Sequence, residues 1–229
     1  MPRPKTTKPK MPSLTAKSLE IKTPSVKNQT PQPSGIGDTP RAWQRMLSGR
    51  RLDLLNPSPL DIEIEDIAHG LSRVARWNGQ TTGEYPFSVL QHSLIVDDVL
   101  PSLGVRLEPK WRLACLLHDA SEYVIGDMIS PFKNALGVNY RVFENKLQEV
   151  IHIRFGLPPE IPTEIKKLIK QADIVSAYFE ATQLAGFNEE ESEKLFCKKP
   201  KAHITLIPEK PDIVKGRYLE RFRIYLAGI

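Results

Sequence analysis

A dense group of ionisable residues lies in the segment Leu116–Pro131, which begins with apolar residues. His118 and Asp119 are adjacent, and Glu122 follows four residues after His118. Asp127 comes directly after a glycine. An unpartnered charge in apolar surroundings is costly, so such residues need a cation or a hydrogen-bonding partner. The segment therefore predicts a site that binds a metal or moves a proton, with partners supplied by the rest of the chain.

The composition is that of an ordinary globular protein. The 229 residues are enough for one domain with a substantial core, and 40% of them are hydrophobic while 26% are charged. No apolar run approaches the ~20 residues of a membrane-spanning helix, and the N-terminus lacks the apolar core of a signal peptide. Cys115 and Cys197 show no CxxC spacing, so we expect reduced thiols. These features predict a cytoplasmic protein with no membrane segment.

The basic charge is concentrated at the N-terminus. Residues 1–40 contain eight prolines, no aromatic residue, and seven Lys or Arg against two acidic residues, whereas the whole chain has a net charge of +5. Such a segment cannot bury enough apolar area to offset its ordering entropy. We predict a disordered or extended tail over residues 1–37 and one domain over 38–229. Because the domain is near neutral, nucleic acid is expected to bind only through a basic arm, if at all.

Helical periodicity dominates the rest of the chain and predicts an all-α protein, a helical bundle with little room for a sheet. We expect a short helix over Ala42–Leu47 and helices over Glu65–Arg76, from Ser88 to about Leu100, over Trp111–Gly126, over Val142–Gly156, over about twenty residues centred on Asp173, and over Ile213–Leu226, with an extended stretch at Ile204–Ile207. The predicted helix that ends at Gly126 would carry His118, Asp119 and Glu122 together.

Four residues form a candidate metal set because each is an imidazole or a carboxylate in an otherwise apolar helix. They are His92, His118, Asp119 and Asp173. Mixed nitrogen and oxygen ligands suit divalent first-row ions, so we expect one Mn, Fe, Co, Ni or Zn ion. Four protein ligands around a six-coordinate ion leave room for water and for a substrate oxygen, as metal-assisted hydrolysis requires. Taken singly, each of these residues is more often structural than a ligand, and the combination carries the prediction.

The ordered pattern resembles the HD-domain phosphohydrolase superfamily, and within it bacterial 5′-deoxynucleotidases and phage deoxynucleotide (dATP) triphosphohydrolases. His92 in Leu-Gln-His-Ser matches the first metal ligand of that family, and His118-Asp119 in His-Asp-Ala-Ser-Glu matches its HD pair. Asp173 in Lys-Gln-Ala-Asp matches the last ligand. The resemblance covers residues 50–181 and implies an all-helical HD-domain fold, often oligomeric, that acts on deoxynucleotides with a divalent metal such as Co or Mn.

The resemblance also implies roles for other residues. Glu122 and Asp127 match the carboxylates that activate and position the attacking water. Arg76 and Trp77 match an Arg-Trp pair that holds phosphate and nucleotide, although Trp77 is equally well explained as a core aromatic. Lys133 is a candidate phosphate ligand on its position after Pro-Phe, with a solvated lysine as the alternative.

These observations predict a metal-dependent phosphohydrolase, most simply a deoxynucleoside 5′-monophosphate phosphatase that forms a homo-oligomer. A triphosphohydrolase that releases tripolyphosphate from a dNTP is the closest alternative. A nucleotide-binding module without turnover is the alternative from another class, and the water-activating carboxylates at Glu122 and Asp127 disfavour it.

Overall fold

The structure is a computed structural model that describes residues 42–128 and 138–229. The tail predicted over residues 1–37, the domain start at residue 38 and the candidate phosphate ligand Lys133 lie outside these ranges, so they stay predictions.

The described part of the chain is mostly helical, as the sequence predicts. Its helices are α1 (Ile64–Leu71), α2 (Val89–Val99), α3 (Pro109–Leu116), α4 (Glu122–Ile125), α5 (Val138–Arg154), α6 (Thr163–Gln183), α7 (Glu189–Leu195) and α8 (Pro211–Leu226). None of them is both long and apolar enough to cross a lipid bilayer.

A β-hairpin replaces the short helix predicted over Ala42–Leu47. Strand β1 (Trp43–Arg45) pairs antiparallel with strand β2 (Arg51–Asp53). Gly49 has φ +90° in the turn between them, a backbone conformation that only glycine adopts easily. Leu52 is fully buried while its two neighbours in β2 are exposed, which is the period-two alternation of a strand. The prediction of a helix was wrong here because a short segment fits both periods.

Helix α2 forms the centre of the bundle. It packs against α1, α3, α6 and α8, and all of its residues except Asp98 are buried. Ser88 caps its first turn by accepting a hydrogen bond from the backbone N–H of Gln91. The helix is buried on all sides and so lies in the interior, where burial of each large aliphatic side chain contributes about 1.5–3 kcal/mol. His92 is therefore fully buried among the helices that pack around α2.

The helix predicted over Trp111–Gly126 is broken in the middle. Helix α3 ends at Leu116, and residues 117–121 form turns before α4 begins at Glu122. The backbone N–H of His118 bonds to the carbonyl of Cys115 at 3.2 Å, and the ring Nδ1 of His118 lies 2.9 Å from the same oxygen. This carbonyl would otherwise accept the next bond of an α-helix. His118 and Glu122 therefore do not share a helix face, although both lie near Asp119.

The longer helices agree with the sequence prediction apart from their ends. The helix centred on Asp173 is α6, with 21 residues, and the C-terminal helix begins at Pro211. Helix α1 is shorter than predicted and ends at Leu71. Helix α7 was not predicted; Asn188 and Glu191 form a capping box at its start. Residues 204–207 form no strand.

Candidate metal centre

The structure brings the four predicted ligands together from three parts of the chain. His92 lies in α2, His118 and Asp119 lie in the turn after α3, and Asp173 lies in α6. One ligand atom from each of His92, His118 and Asp119 lies within 4.8 Å of the others. The Asp119 Oδ2 atom is 3.1 Å from His118 Nε2 and 3.6 Å from His92 Nε2. Asp173 completes the group, because its Oδ1 atom lies 3.3 Å from His92 Nε2.

Both imidazole rings are oriented through Nδ1, which leaves Nε2 directed at the carboxylates. His92 Nδ1 lies 2.6 Å from Glu180 Oε1, and His118 Nδ1 donates to the carbonyl of Cys115 at 2.9 Å. Within the described residues, neither buried Nε2 atom has a hydrogen-bond partner of acceptable geometry. Metal-binding histidines characteristically donate the other ring N–H to a carboxylate or a carbonyl. This donor set fits a divalent transition metal.

The charges of the centre favour a cation between the carboxylates. Burial and nearby Arg76 oppose the imidazolium form of His92, but Glu180 and Asp173 outweigh them and raise its pKa to about 10. Burial also opposes ionisation of Asp119 and Asp173. The imidazoles of His118 and His92 outweigh this effect of burial, and they hold the pKa of both carboxyls well below the ordinary range. The same field that holds a proton on His92 would hold a metal ion in its place.

Glu180 is a fully buried carboxylate that the sequence analysis did not single out. Its Oε1 atom contacts His92 Nδ1 and accepts from the Ser176 hydroxyl at 3.0 Å. Its Oε2 atom accepts from Trp77 Nε1 at 2.8 Å and from Arg76 Nε at 3.2 Å. Burial raises the pKa of Glu180, but Arg76 and His92 outweigh that effect and lower it to about 2. Glu180 thus links a predicted metal ligand to both members of the predicted phosphate-binding pair.

Arg76 and Trp77 lie in a corner with unusual backbone geometry. Trp77 has φ 56° and Asn78 has φ 51°, and a non-glycine residue in this left-handed region costs about 1–2 kcal/mol. The ring of Trp77 packs against Phe187 and Phe196 at centroid distances of 5.6 and 6.0 Å. These contacts and the bond to Glu180 compensate for the strain, so Trp77 has the packing of a structural aromatic as well as a position beside the site.

Glu122 and Asp127 flank the centre on the side of Arg76. Glu122 is buried at the first position of α4, and its backbone N–H donates to the carbonyl of Asp119 at 3.1 Å. The Asp127 Oδ2 atom is 3.1 Å from Arg76 Nη1, so this carboxylate is paired with the guanidinium.

Two cavities open onto Asp119 and Asp173. One of about 400 Å³ is also lined by Arg76, Glu122, Asp127, Ile174, Leu195 and Phe196. The other, of about 350 Å³, is lined among others by His118, Gln148, His152 and Lys166. Lys170 borders both and pairs with Asp173 at 2.7 Å. Both volumes fall in the range of about 300–1,000 Å³ that is typical of small-molecule sites.

Fold and site together define a mostly helical protein with a candidate mononuclear His/Asp centre beside a ligand-sized cavity. No protein-family model matches the chain. The uncharacterized protein RCAP_rcc00048 of Rhodobacter capsulatus is 59% identical over 192 residues, which are 82% of this chain and 98% of that protein. The uncharacterized protein YfdR of Escherichia coli K12 is 30% identical over 163 residues, 71% of this chain and 83% of that protein. The chain belongs to the family that contains these two proteins.

Proposed function

We propose that the protein is a metal-dependent phosphohydrolase of the HD-domain type that acts on deoxynucleotides, most simply on deoxynucleoside 5′-monophosphates. One observation carries the proposal. The Nε2 atoms of His92 and His118 lie beside Asp119, and Asp119 lines one cavity with Glu122 and Arg76. Two of the four candidate ligands, Asp119 and Asp173, thus share one cavity of substrate size with a candidate proton acceptor and a candidate phosphate-binding cation.

His92, His118, Asp119 and Asp173 would hold the metal. A bound divalent ion supplies a water of lowered pKa and polarises the phosphoryl oxygen. Mixed imidazole and carboxylate ligands are compatible with Mn, Fe, Co, Ni or Zn.

The residues on the Arg76 side of the cavity accept the proton and bind the substrate. Glu122 lines the same cavity as Asp119 and accepts the proton of the attacking water. Arg76 holds the phosphate oxygens, and Asp127 fixes the orientation of the guanidinium through the 3.1 Å pair. The apolar wall, formed by Ile174 and Phe196, suits the nucleoside.

The charges of the described residues around this cavity favour a monophosphate over a triphosphate. Among the described lining residues, the cations are Arg76 and Lys170, and the carboxylates are Asp119, Glu122, Asp127 and Asp173. A divalent ion would bring this group to about neutrality. A triphosphate carries more negative charge than a monophosphate and would need further cations, which the described lining does not supply.

The proposal is tested by incubating the protein with mono-, di- and triphosphates of the deoxynucleosides in the presence of Mn, Co, Zn or Mg. We expect orthophosphate from a deoxynucleoside monophosphate. Release of tripolyphosphate would identify the triphosphohydrolase alternative, and binding of nucleotides without any turnover would identify the non-catalytic module.

The variant Asp119→Ala should lose both bound metal and hydrolysis, because it removes a ligand central to the group. Metal content measured by mass spectrometry and phosphate release measured on the same preparation provide the check. Retained turnover in this variant would overturn the assignment.

A further inference from the structure

We propose that Glu180 is a positioning residue that fixes the metal ligand His92 and the phosphate-holding Arg76 at the same time. The inference rests on the proposed function for the role of Arg76. It concerns a carboxylate that touches neither metal nor substrate and acts through the residues it holds.

Glu180 first fixes the imidazole of His92. Glu180 Oε1 lies 2.6 Å from His92 Nδ1, and a carboxylate can only accept there, so Nδ1 carries the proton. In the neutral ring this fixes the tautomer in which the Nε2 lone pair faces Asp119 and Asp173. Without Glu180, the ring could turn or take the other tautomer, and its affinity for a metal would fall.

Glu180 also fixes the guanidinium of Arg76. Glu180 Oε2 accepts from Arg76 Nε at 3.2 Å while Asp127 pairs with Nη1 at 3.1 Å. Two carboxylates on different nitrogens fix the plane of the group, and no side chain among the described residues forms a hydrogen bond with Nη2. Trp77 Nε1 donates to the same Oε2 atom and keeps the adjoining left-handed corner in place.

Glu180 can hold His92 and Arg76 together because each of its carboxylate oxygens accepts hydrogen bonds from two donor groups. The four donor groups are on His92, Ser176, Arg76 and Trp77. The side chain is fully buried. Its length therefore determines whether Oε1 can reach His92 while Oε2 reaches Arg76. Aspartate keeps the charge but is one methylene shorter, and it cannot reach both His92 and Arg76 from the same backbone position.

The experiment compares Glu180→Asp with Glu164→Asp. Glu164 is the matched control because it lies in the same helix, is exposed, and pairs with exposed Lys167. Affinity for Co²⁺ is measured from the visible absorption of the bound ion. Affinity of the cobalt-loaded protein for inorganic phosphate is measured by calorimetry, and Tm is recorded for every variant.

We expect Glu180→Asp to lose roughly 10–100-fold in Co²⁺ affinity, the usual effect of removing a partner of a metal-binding histidine. Phosphate affinity should also fall several-fold and the absorption band should change, while Glu164→Asp matches the unmodified protein. Ser176→Ala removes one of the four hydrogen bonds to Glu180 and the 3.4 Å contact of the hydroxyl with His92 Nδ1, so it should fold normally and lose Co²⁺ affinity in the same direction by a smaller factor.

Unchanged Co²⁺ and phosphate affinities in Glu180→Asp and Ser176→Ala, with only Tm lowered, would make Glu180 a structural residue and overturn the inference. Failure of the proposed function has a different signature, because the cobalt-loaded unmodified protein would then hydrolyse no nucleotide while Glu180→Asp still bound the metal more weakly. Failure of the unmodified protein to bind Co²⁺ would overturn both.

Discussion

At the residue scale, the free nitrogen of each imidazole decides what the centre can bind. His92 and His118 both present Nε2 to the carboxylates because Nδ1 of each is engaged by Glu180 or by a backbone carbonyl. In the absence of a metal, His92 takes up a proton, and its pKa rises to about 10. A proton and a metal ion would therefore compete for Nε2 of His92.

Metal binding should release a proton. Near pH 8, His92 without a metal is mostly protonated, since its pKa is about 10, and it must lose a proton to coordinate. We expect release of close to one proton per Co²⁺ bound, measured by calorimetry in two buffers of different ionisation enthalpy. The exposed His203 has no assigned role, so His203→Gln should release the same number. A binding heat independent of the buffer would contradict the prediction.

The metal-free protein should lose stability towards alkaline pH. The raised pKa of His92 contributes stability that is complete below its ordinary value of 6.5 and is lost as the pH rises through about 10. The lowered pKa of Glu180 contributes stability that is present above its ordinary value of 4.5 and is lost as the pH falls through about 2. The combined contribution of His92 and Glu180 to the stability is therefore greatest at about pH 4.5–6.5.

Thermal unfolding with a chelator at pH 6 and pH 9 provides the measurement. A loss of 1 kcal/mol corresponds to roughly 2–4 °C in Tm for a domain of this size, and we expect a decrease of at least that amount at pH 9. The cobalt-loaded protein should show a smaller decrease, because the ion replaces the proton. Equal decreases with and without metal would show that His92 does not control this pH dependence.

Residue identities at the centre could be predicted from the sequence, but their supporting contacts could not. His92, His118, Asp119 and Asp173 stand out because each is polar in an apolar surrounding. Glu180 was missed because a glutamate in a long helix is usually exposed. A signal was available, since Glu180 follows Asp173 by seven residues, which is two helical turns and the same helix face.

At the scale of elements, the position of Glu122 depends on how closely α4 approaches α1. A Cβ atom added at Gly70 in α1 would lie 2.9 Å from the Cβ and 3.0 Å from the carbonyl oxygen of Tyr123. Tyr123 follows Glu122 directly. The absence of a side chain at residue 70 is therefore what lets α4 bring Glu122 to the cavity.

Gly70→Ala should push α4 away from α1. We expect a loss of about 1–3 kcal/mol, the usual cost of overpacking, together with lower phosphate release at unchanged Co²⁺ affinity, since Gly70 is not one of the four candidate metal ligands. Gly216 in α8 is a matched control because its added Cβ would meet nothing within 4 Å, so Gly216→Ala should be neutral or stabilise by up to about 1 kcal/mol. Unaltered stability and phosphate release in Gly70→Ala would contradict this account.

Sequence periodicity predicted the long helices well and the short elements poorly. Helix α6 has enough turns for its pattern to be unambiguous. The hairpin of β1 and β2 has three residues in each strand, too few to distinguish one period from another. The end of α3 depends on the ring of His118 bonding to the carbonyl of Cys115, a local contact that hydrophobic periodicity does not register.

At the scale of the whole molecule, the centre joins distant segments. Its ligands come from α2, from the turn after α3 and from α6, so an ion bound there would stabilise the packing of these elements through mass action. The hydrophobic core also spans the described residues from Met46 to Phe222. Every described residue that holds the candidate site therefore lies within the predicted domain.

The N-terminal tail should be dispensable for this chemistry. The R. capsulatus relative aligns over 98% of its own length but over only 82% of this chain, so part of this chain has no counterpart in that protein. Deletion of residues 1–37 should leave phosphate release within about twofold and should lower affinity for nucleic acid if the basic arm binds it. The salt dependence of that affinity would become shallower, because fewer phosphate contacts release fewer counterions.

A full-length variant with the seven Lys and Arg of the tail changed to Gln separates the effect of charge from the effect of length. This variant should show the same nucleic-acid binding as the deletion and should retain hydrolysis. Loss of hydrolysis on deletion, measured at saturating metal, would instead make the tail part of the catalytic unit.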